Sequence, residues 1–255
     1  MRFDDFDKKM RVYEESLDQF ILPDMYLVAR LDGRSFTRLT KEVCQFEAPF
    51  DERFRDMMIK TVQYLMNCGF RMIYGFTESD EISLLFHPDD QTFGRKVRKL
   101  NTTLAGEASA AFSLESGRLA TFDCRIVPLP NIERVCDYFL WRQEDAHRNS
   151  LNAYCYWTLR KEGMSKTQAT ALLEGKSVSY KNELLFSKGI NYNDVPNWQK
   201  RGIGVRYQEV EKEGFNPVTK EMVKTTRREL VTKLDIPLGE EYKEWIRELL
   251  NKCEQ

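Results

Sequence analysis

The chain has 255 residues, 42% hydrophobic and 31% charged, with a net charge of −1, the balance of a globular protein large enough to bury a real core. No stretch approaches the roughly 20 apolar residues that span a bilayer, and the N-terminal MRFDDFDKKMRVYEE is too charged for a secretory signal, so a cytoplasmic location without a membrane partner is expected. The near-zero charge disfavours indiscriminate coating of nucleic acid, although basic residues cluster at Arg95, Lys96, Arg98 and Lys99, at Lys200 and Arg201, and at Arg227 and Arg228.

Six scattered cysteines and two histidines, with no C-x-x-C pair, lack the ligand spacing of a structural zinc site. In chain order, YLVARL at 26–31 reads as a buried strand ended by Asp32-Gly33. Asp51 caps an amphipathic helix over 52–67, with Phe54, Met57, Met58, Val62, Leu65 and Met66 on one face and Gly69 as its stop. Residues 70–76 and 82–86 read as a β-hairpin with the acidic tip Thr77-Glu78-Ser79-Asp80-Glu81. A second long helix is expected over 91–115, then a strand over 119–127 closed by Pro128 and Pro130.

The order so far is βαββαβ, a ferredoxin-like pattern whose sheet is expected to carry helices on one face and to leave the other for a ligand. The fold class is therefore α+β, a palm-like catalytic domain over 1–130 with a helical and β-hairpin extension over 131–255 packed on it. In that extension, 132–160 reads as one long helix or two abutting ones. Ser165 and Gln168 form a capping box, and 179–187 forms a short helix. Strands at 203–211 and 221–234 flank a turn at Gly214/Asn216-Pro217, and a last helix carries Tyr242, Trp245, Ile246, Leu249 and Leu250 on one face.

Asp32 ends the first strand and Asp80 tips the hairpin. In this pattern the first and third strands lie side by side, so the two carboxylates face each other. Paired carboxylates repel unless a cation joins them, and magnesium takes one or two carboxylates plus phosphate oxygens and water. Gly33 allows close approach to the backbone. His147 and the aromatics Trp141, Tyr154, Tyr156 and Trp157 fit core packing better than chemistry or base stacking.

The segments RLDGRSFTRLT, FTESDEISLLF, FDCRIV, HRNSLN and KNELLFSKGINYN resemble, in order, the tRNA(His) guanylyltransferase superfamily, and in particular its bacterial and archaeal branch. The resemblance implies a 3′–5′ polymerase that repairs the 5′ ends of tRNA. It implies about two Mg²⁺ ions, ATP and GTP or other nucleoside triphosphates as substrates, and a homotetramer. It places Asp32, Gly33 and Asp80 at the metals, with Glu81 as a supporting acid. The backbone from Gly33 through Arg34 and Ser35 to Phe36, with Ser79, is implied to hold a triphosphate. Arg95, Lys99, Arg125, Asn149, Ser150, Lys181 and Asn182 match residues on the phosphate side. HRNSLN departs from the eukaryotic His-Ile-Asn-Asn-Leu-Tyr-Asn element, which points to the repair branch. Ala48 stands where many relatives have a lysine before the loop proline, and Lys41 is the candidate to replace that cation. A palm-type nucleotide cyclase and a non-catalytic RNA-binding module are the competing readings.

Overall fold

The structure is a computed structural model that describes residues 2–216 and 221–253. Its elements run α1 (Phe3–Glu15), β1 (Tyr26–Gly33), α2 (Phe36–Arg38) continued by a π-helical turn (Leu39–Val43), and α3 (Glu52–Leu65). There follow β2 (Met72–Glu78), β3 (Glu81–Phe86), a 3-10 turn (Thr92–Arg95), α4 (Val97–Ser116), β4 (Phe122–Leu129) and α5 (Ile132–Lys161). The chain ends with α6 (Lys166–Leu173), α7 (Val178–Ser187), α8 (Asn197–Arg201), β5 (Ile203–Asn216), β6 (Glu221–Lys233) and α9 (Gly239–Asn251).

The strands form one antiparallel sheet in the order β4-β1-β3-β2-β5-β6, so the extension adds two strands to the sheet of the first half. β1 lies against β3, as the acidic pair requires. The period of two along β1 sends Leu27, Ala29 and Leu31 to one face, where they meet Val62 and Leu65 of α3 and Leu104 and Phe112 of α4. Val28 points the other way with Tyr74, Phe76 and Leu85, and Val135 and Phe139 of α5 and Tyr242 and Ile246 of α9 cover them. Helices therefore cover both faces, contrary to the expectation of one open face. On that second face the ends of β1, β2, β3 and β4 nearest the hairpin carry charge, at Asp32, Glu78, Glu81 and Asp123.

Local differences from the sequence reading have physical causes. The second helix starts later than expected because Phe93, Gly94 and Arg95 take positive φ of 56–58° and break the first turn. β4 runs through Pro128, paired with Leu27; as an edge strand it tolerates a residue without an N–H. Residues 132–161 form a single helix capped by Asn131. The Ser165–Gln168 capping box is present in both directions. The turn expected at Pro217 lies outside the described residues, and Gly214 falls inside β5.

Candidate active site

Asp32 is the last polar residue of β1 before Gly33. In register it faces Glu81 on β3 and Asp123 on β4. β2 and β3 are joined by the two residues Ser79 and Asp80, with Glu78 opposite Glu81. Ser79 takes φ 47°, the left-handed conformation that tight hairpins need at their first turn position. The Gly33 N–H donates to the Asp80 carbonyl at 3.1 Å, which ties the hairpin tip to the end of β1. The Ser79 hydroxyl donates to Asp80 Oδ1 at 3.1 Å.

The charges here are poorly balanced. Burial pushes the Asp80 carboxyl up to about 6, and the charges of Asp32 and Glu81 push the same way. Asp32 is raised by burial first, then by Glu81 and Asp123, with Arg30 and Arg125 opposing. Glu81 is anchored from both sides: Arg30 donates to Oε1 at 2.6 Å, and Arg142 of α5 to Oε2. Arg142, 1% exposed, also reaches Glu78 at 2.9 Å and Asp145 at 3.1 Å. One guanidinium thus serves three carboxylates. Burial raises Glu78, to about 8, against the pull of Arg142.

Asp123 lies within the FDCRIV segment but was not singled out there, and Arg142 had no motif to mark it. Asp123 is readable only as the residue that lands opposite Asp32 once β1 and β4 pair. Arg142 lies 61 residues beyond Glu81 on a helix that had no predicted partner.

Gly33 has no room for a side chain: a Cβ there would lie 2.4 Å from the ring of Phe36. That ring is buried against Phe122 at 4.9 Å and Phe112 at 5.0 Å. It roots the turn that follows, and Ser35 enters the turn at φ 62°. The Gly33 and Arg34 N–H groups are taken by the carbonyls of Asp80 and Thr121. Of the expected backbone cradle, this leaves Ser35 and Phe36.

A cavity of about 530 Å³ opens beside this turn, with Ser79 and Asp80 in its wall. Phe46, Phe50, Tyr156, Trp157 and Trp198 give it flat apolar sides, the kind of lining that suits a small flat ligand. Tyr156 and Trp157 are thus cavity walls, and Tyr156 packs as well against the buried cluster around Cys155 and Leu159. Lys41 lines it too; its ammonium donates to the Glu47 carbonyl at 3.2 Å and lies 5.4 Å from the Trp157 ring centre. Burial lowers its pKa.

The other expected residues are divided. Arg125 is brought to the rim, beside Arg30 in register and 3.8 Å from Asp123. Arg34 is exposed next to Gly33. Asn149 is exposed on α5 and donates to Asp145 at 3.3 Å. Ser150 is corrected: it is buried, and its hydroxyl accepts from Tyr192 at 2.9 Å, so it supports packing. Arg95 is corrected likewise. It is buried and donates to the Met25 carbonyl, and it follows the end of β3 farthest from Asp80. Lys99 is exposed at that same end, whereas Lys96 and Arg98 are paired with Asp18. Lys181 and Asn182 lie on α7, packed on α5, and neither lines the cavity; Asn182 donates to the Val178 carbonyl at 3.1 Å. His147 packs 5.6 Å from Tyr192.

Among the described residues no group of three or more His, Cys, Asp or Glu is arranged as a metal cluster. The donor set fits a hard cation of another kind. Asp32 and Asp80 are two carboxylates burdened by burial and by neighbouring negative charge, and the remaining ligands would come from main chain, water and phosphate.

This geometry can be set beside known proteins. A family model described as tRNAHis guanylyltransferase matches residues 7–130, and one described as Thg1 C terminal domain matches residues 133–238. The tRNA(His) guanylyltransferase of Debaryomyces hansenii is 37% identical over 211 residues, 77% of this chain and 79% of that protein. Two solved structures of a bacterial tRNA(His) guanylyltransferase (Thg1)-like protein, one in complex with ATP and one with GTP, superpose with TM-scores of 0.76 and 0.73. Each is 26% identical; both cover 96% of this chain, and 98% and 99% of theirs. The chain belongs to the tRNA(His) guanylyltransferase family, whose members are nucleotidyltransferase enzymes.

Proposed function

We propose that this protein adds nucleotides in the 3′–5′ direction to the 5′ end of tRNA, guided by the opposing base, and so repairs 5′-truncated tRNA. The observation that carries the proposal is the Asp32–Asp80 carboxylate pair, tied through Gly33 to a glycine-led turn and opening on an aromatic-walled cavity. The strand order β4-β1-β3-β2, with α3 and α4 on one face, supports reading residues 1–130 as a ferredoxin-like palm and 131–255 as its extension. The HRNSLN element favours repair over addition of a single guanosine to tRNA(His). A cytoplasmic homotetramer belongs to the same proposal.

Asp32 and Asp80, with the Gly33 carbonyl, would hold Mg²⁺, about two ions. The metal would supply charge neutralisation at the reacting phosphates and polarise the attacking and leaving oxygens. The chain's own groups do the positioning. The base of a nucleoside triphosphate enters the cavity between Trp157, Tyr156 and the phenylalanines. The N–H groups of Ser35 and Phe36 and the Ser79 hydroxyl meet its phosphates. Arg125 at the rim orients the RNA 5′ phosphate, and Lys41 supplies the cation that Ala48 does not. Glu81, clamped by Arg30 and Arg142, fixes the hairpin that presents Asp80. ATP first converts a 5′-monophosphate into an adenylate, releasing pyrophosphate. The 3′-hydroxyl of the incoming nucleotide then displaces AMP in line; a 5′-triphosphate end skips activation. Placement and charge complementarity account for the rate.

The test is nucleotide incorporation into tRNAs that lack one 5′ nucleotide, with each of the four nucleotides offered against each opposing base. The proposal expects the complementary nucleotide to be added in every case. Guanosine added regardless of the opposing base would overturn the repair assignment. A cyclic product formed from ATP or GTP without RNA would overturn the polymerase assignment.

A further inference from the structure

A second and larger cavity, about 920 Å³, lies at the other end of β2. It exists because β2 pairs with β5 only from Tyr74↔Arg206 to Thr77↔Ile203; on the other side of β2 the register with β3 is irregular between Met72 and Tyr74. Beyond Arg206, β5 continues with β6 alone, and a groove opens between Tyr207–Glu209 and the segment entering β2.

The groove is strongly cationic. Arg71, Arg206, Arg228 and Lys252 line it with His87, against the single carboxylate of Glu209. Among the described residues none of these four cations forms an ion pair, and Glu209, although opposite Arg228 in register, does not engage it. The guanidinium groups are held in place by other means. Arg206 lies 5.0 Å over the Trp245 ring, and Arg228 lies 4.3 Å over Tyr207. Tyr207 is itself fixed by donating to the Met66 carbonyl at 2.9 Å. Arg71 contacts His87 Nε2 at 3.3 Å. The Arg206 Nε is buried without a partner. Burial and the charges of Arg71 and Arg228 disfavour a proton on His87, with Asp89 and Asp90 opposing.

Guanidinium groups stacked on aromatic rings and left without carboxylates are preorganised donors for phosphate oxygens. Among the described residues four cations without ion pairs line this groove, Arg206 and Arg228 reaching it from opposite faces of the β5–β6 pair, in a chain whose net charge is −1; such a concentration of charge favours an anion there. β2 spans about 20 Å from this groove to the hairpin tip at Asp80, so no ligand bound at the candidate active site reaches both unless it is a polymer. We infer that this groove binds a backbone phosphate of the RNA substrate about 20 Å from the reacting 5′ end. The identity of the polyanion rests on the function proposed above; the anion site itself rests on the groove.

The experiment uses the full chain with Arg206→Gln, Arg228→Gln and the double variant. Thermal melts check folding, and Arg228→Gln, at a more exposed side chain, remains informative if Arg206→Gln does not fold. Affinity for full-length tRNA is measured against salt concentration. So is affinity for a 5′-end duplex too short to span the distance. The inference expects each substitution to weaken full-length tRNA binding about tenfold and to lower the salt slope by about one. Binding of the short duplex, the KM for ATP and kcat are expected to stay unchanged. Unchanged affinity for full-length tRNA would overturn it, as would equal losses on both RNAs. A defect in the KM for ATP alone would assign the groove to a free nucleotide and overturn the RNA assignment. Binding is read without turnover, so a wild-type protein that incorporates no nucleotide would sink the proposed reaction while leaving this result interpretable.

Discussion

Gly33→Ala is the smallest change that separates backbone approach from carboxylate chemistry. The added Cβ would lie 2.4, 2.6 and 2.8 Å from Cδ2, Cγ and Cε2 of Phe36. Carbon atoms in contact prefer about 3.5–4.0 Å, so the ring must retreat by roughly 1 Å. It has nowhere to go, since Phe122 and Phe112 already sit at 4.9 and 5.0 Å between ring centres. Overpacking of this sort costs about 1–3 kcal/mol, which for a chain of this size lowers the melting temperature by roughly 2–12 °C. The effect on rate is larger. Phe36 roots the turn beside Asp32, and a shift of about 1 Å there lowers kcat/KM by on the order of 100-fold. The assay is a double-mutant cycle with Phe36→Leu, which frees space at the clash. The pair is expected to be more stable than the sum of the single changes by about 1 kcal/mol or more. Additive effects, or a Gly33→Ala variant with unchanged melting and activity, would refute the steric reasoning.

Three other substitutions probe the charges. The raised Asp80 carboxyl, at about 6, binds its proton more tightly folded than unfolded. Its stabilising share is therefore full below about pH 4 and lost as pH rises through about 6. Asp80→Asn should then melt higher than wild type at pH 8, by roughly 1–2 kcal/mol after solvent screening, and equally at pH 3; melts at the two pH values decide it. Arg142→Met removes the buried cation that Glu78, Glu81 and Asp145 share. It should cost about 3–5 kcal/mol, read as a lower denaturation midpoint. Lys41→Met should slow addition to 5′-monophosphorylated tRNA by about tenfold or more, as loss of a charge-assisted phosphate contact would. It should spare 5′-triphosphorylated tRNA, and parallel rate measurements on the two substrates check this.

The parts of the site that were legible in the sequence are those fixed by local pattern. Asp32 and Asp80 sit where a strand ends and a hairpin turns, and both features follow from hydrophobic alternation and turn chemistry. What stayed hidden depends on which strands and helices meet. Asp123 joins the site only through the β1–β4 register, and Arg142 only because α5 crosses the sheet face that had been expected to be open. Arg95 shows the opposite error. Its place in a basic run suggested a solvent-facing phosphate ligand, but a left-handed backbone turns it inward to the Met25 carbonyl. Ser150, within a motif-like element, is spent on a buried hydrogen bond with Tyr192. The pairing of β2 with β5, which creates the cationic groove, has no local signal either; it joins segments far apart in the chain.

The proposed chemistry at an RNA 5′ end requires Asp32 and Asp80 to act together as the cation site. The most direct measurement is magnesium-dependent nucleotide addition to a 5′-truncated tRNA by the wild-type protein, Asp32→Ala and Asp80→Ala, with tRNA affinity measured in parallel. Addition is expected to be abolished in both variants while tRNA affinity is retained. Magnesium-dependent addition that persists in either variant would contradict that requirement.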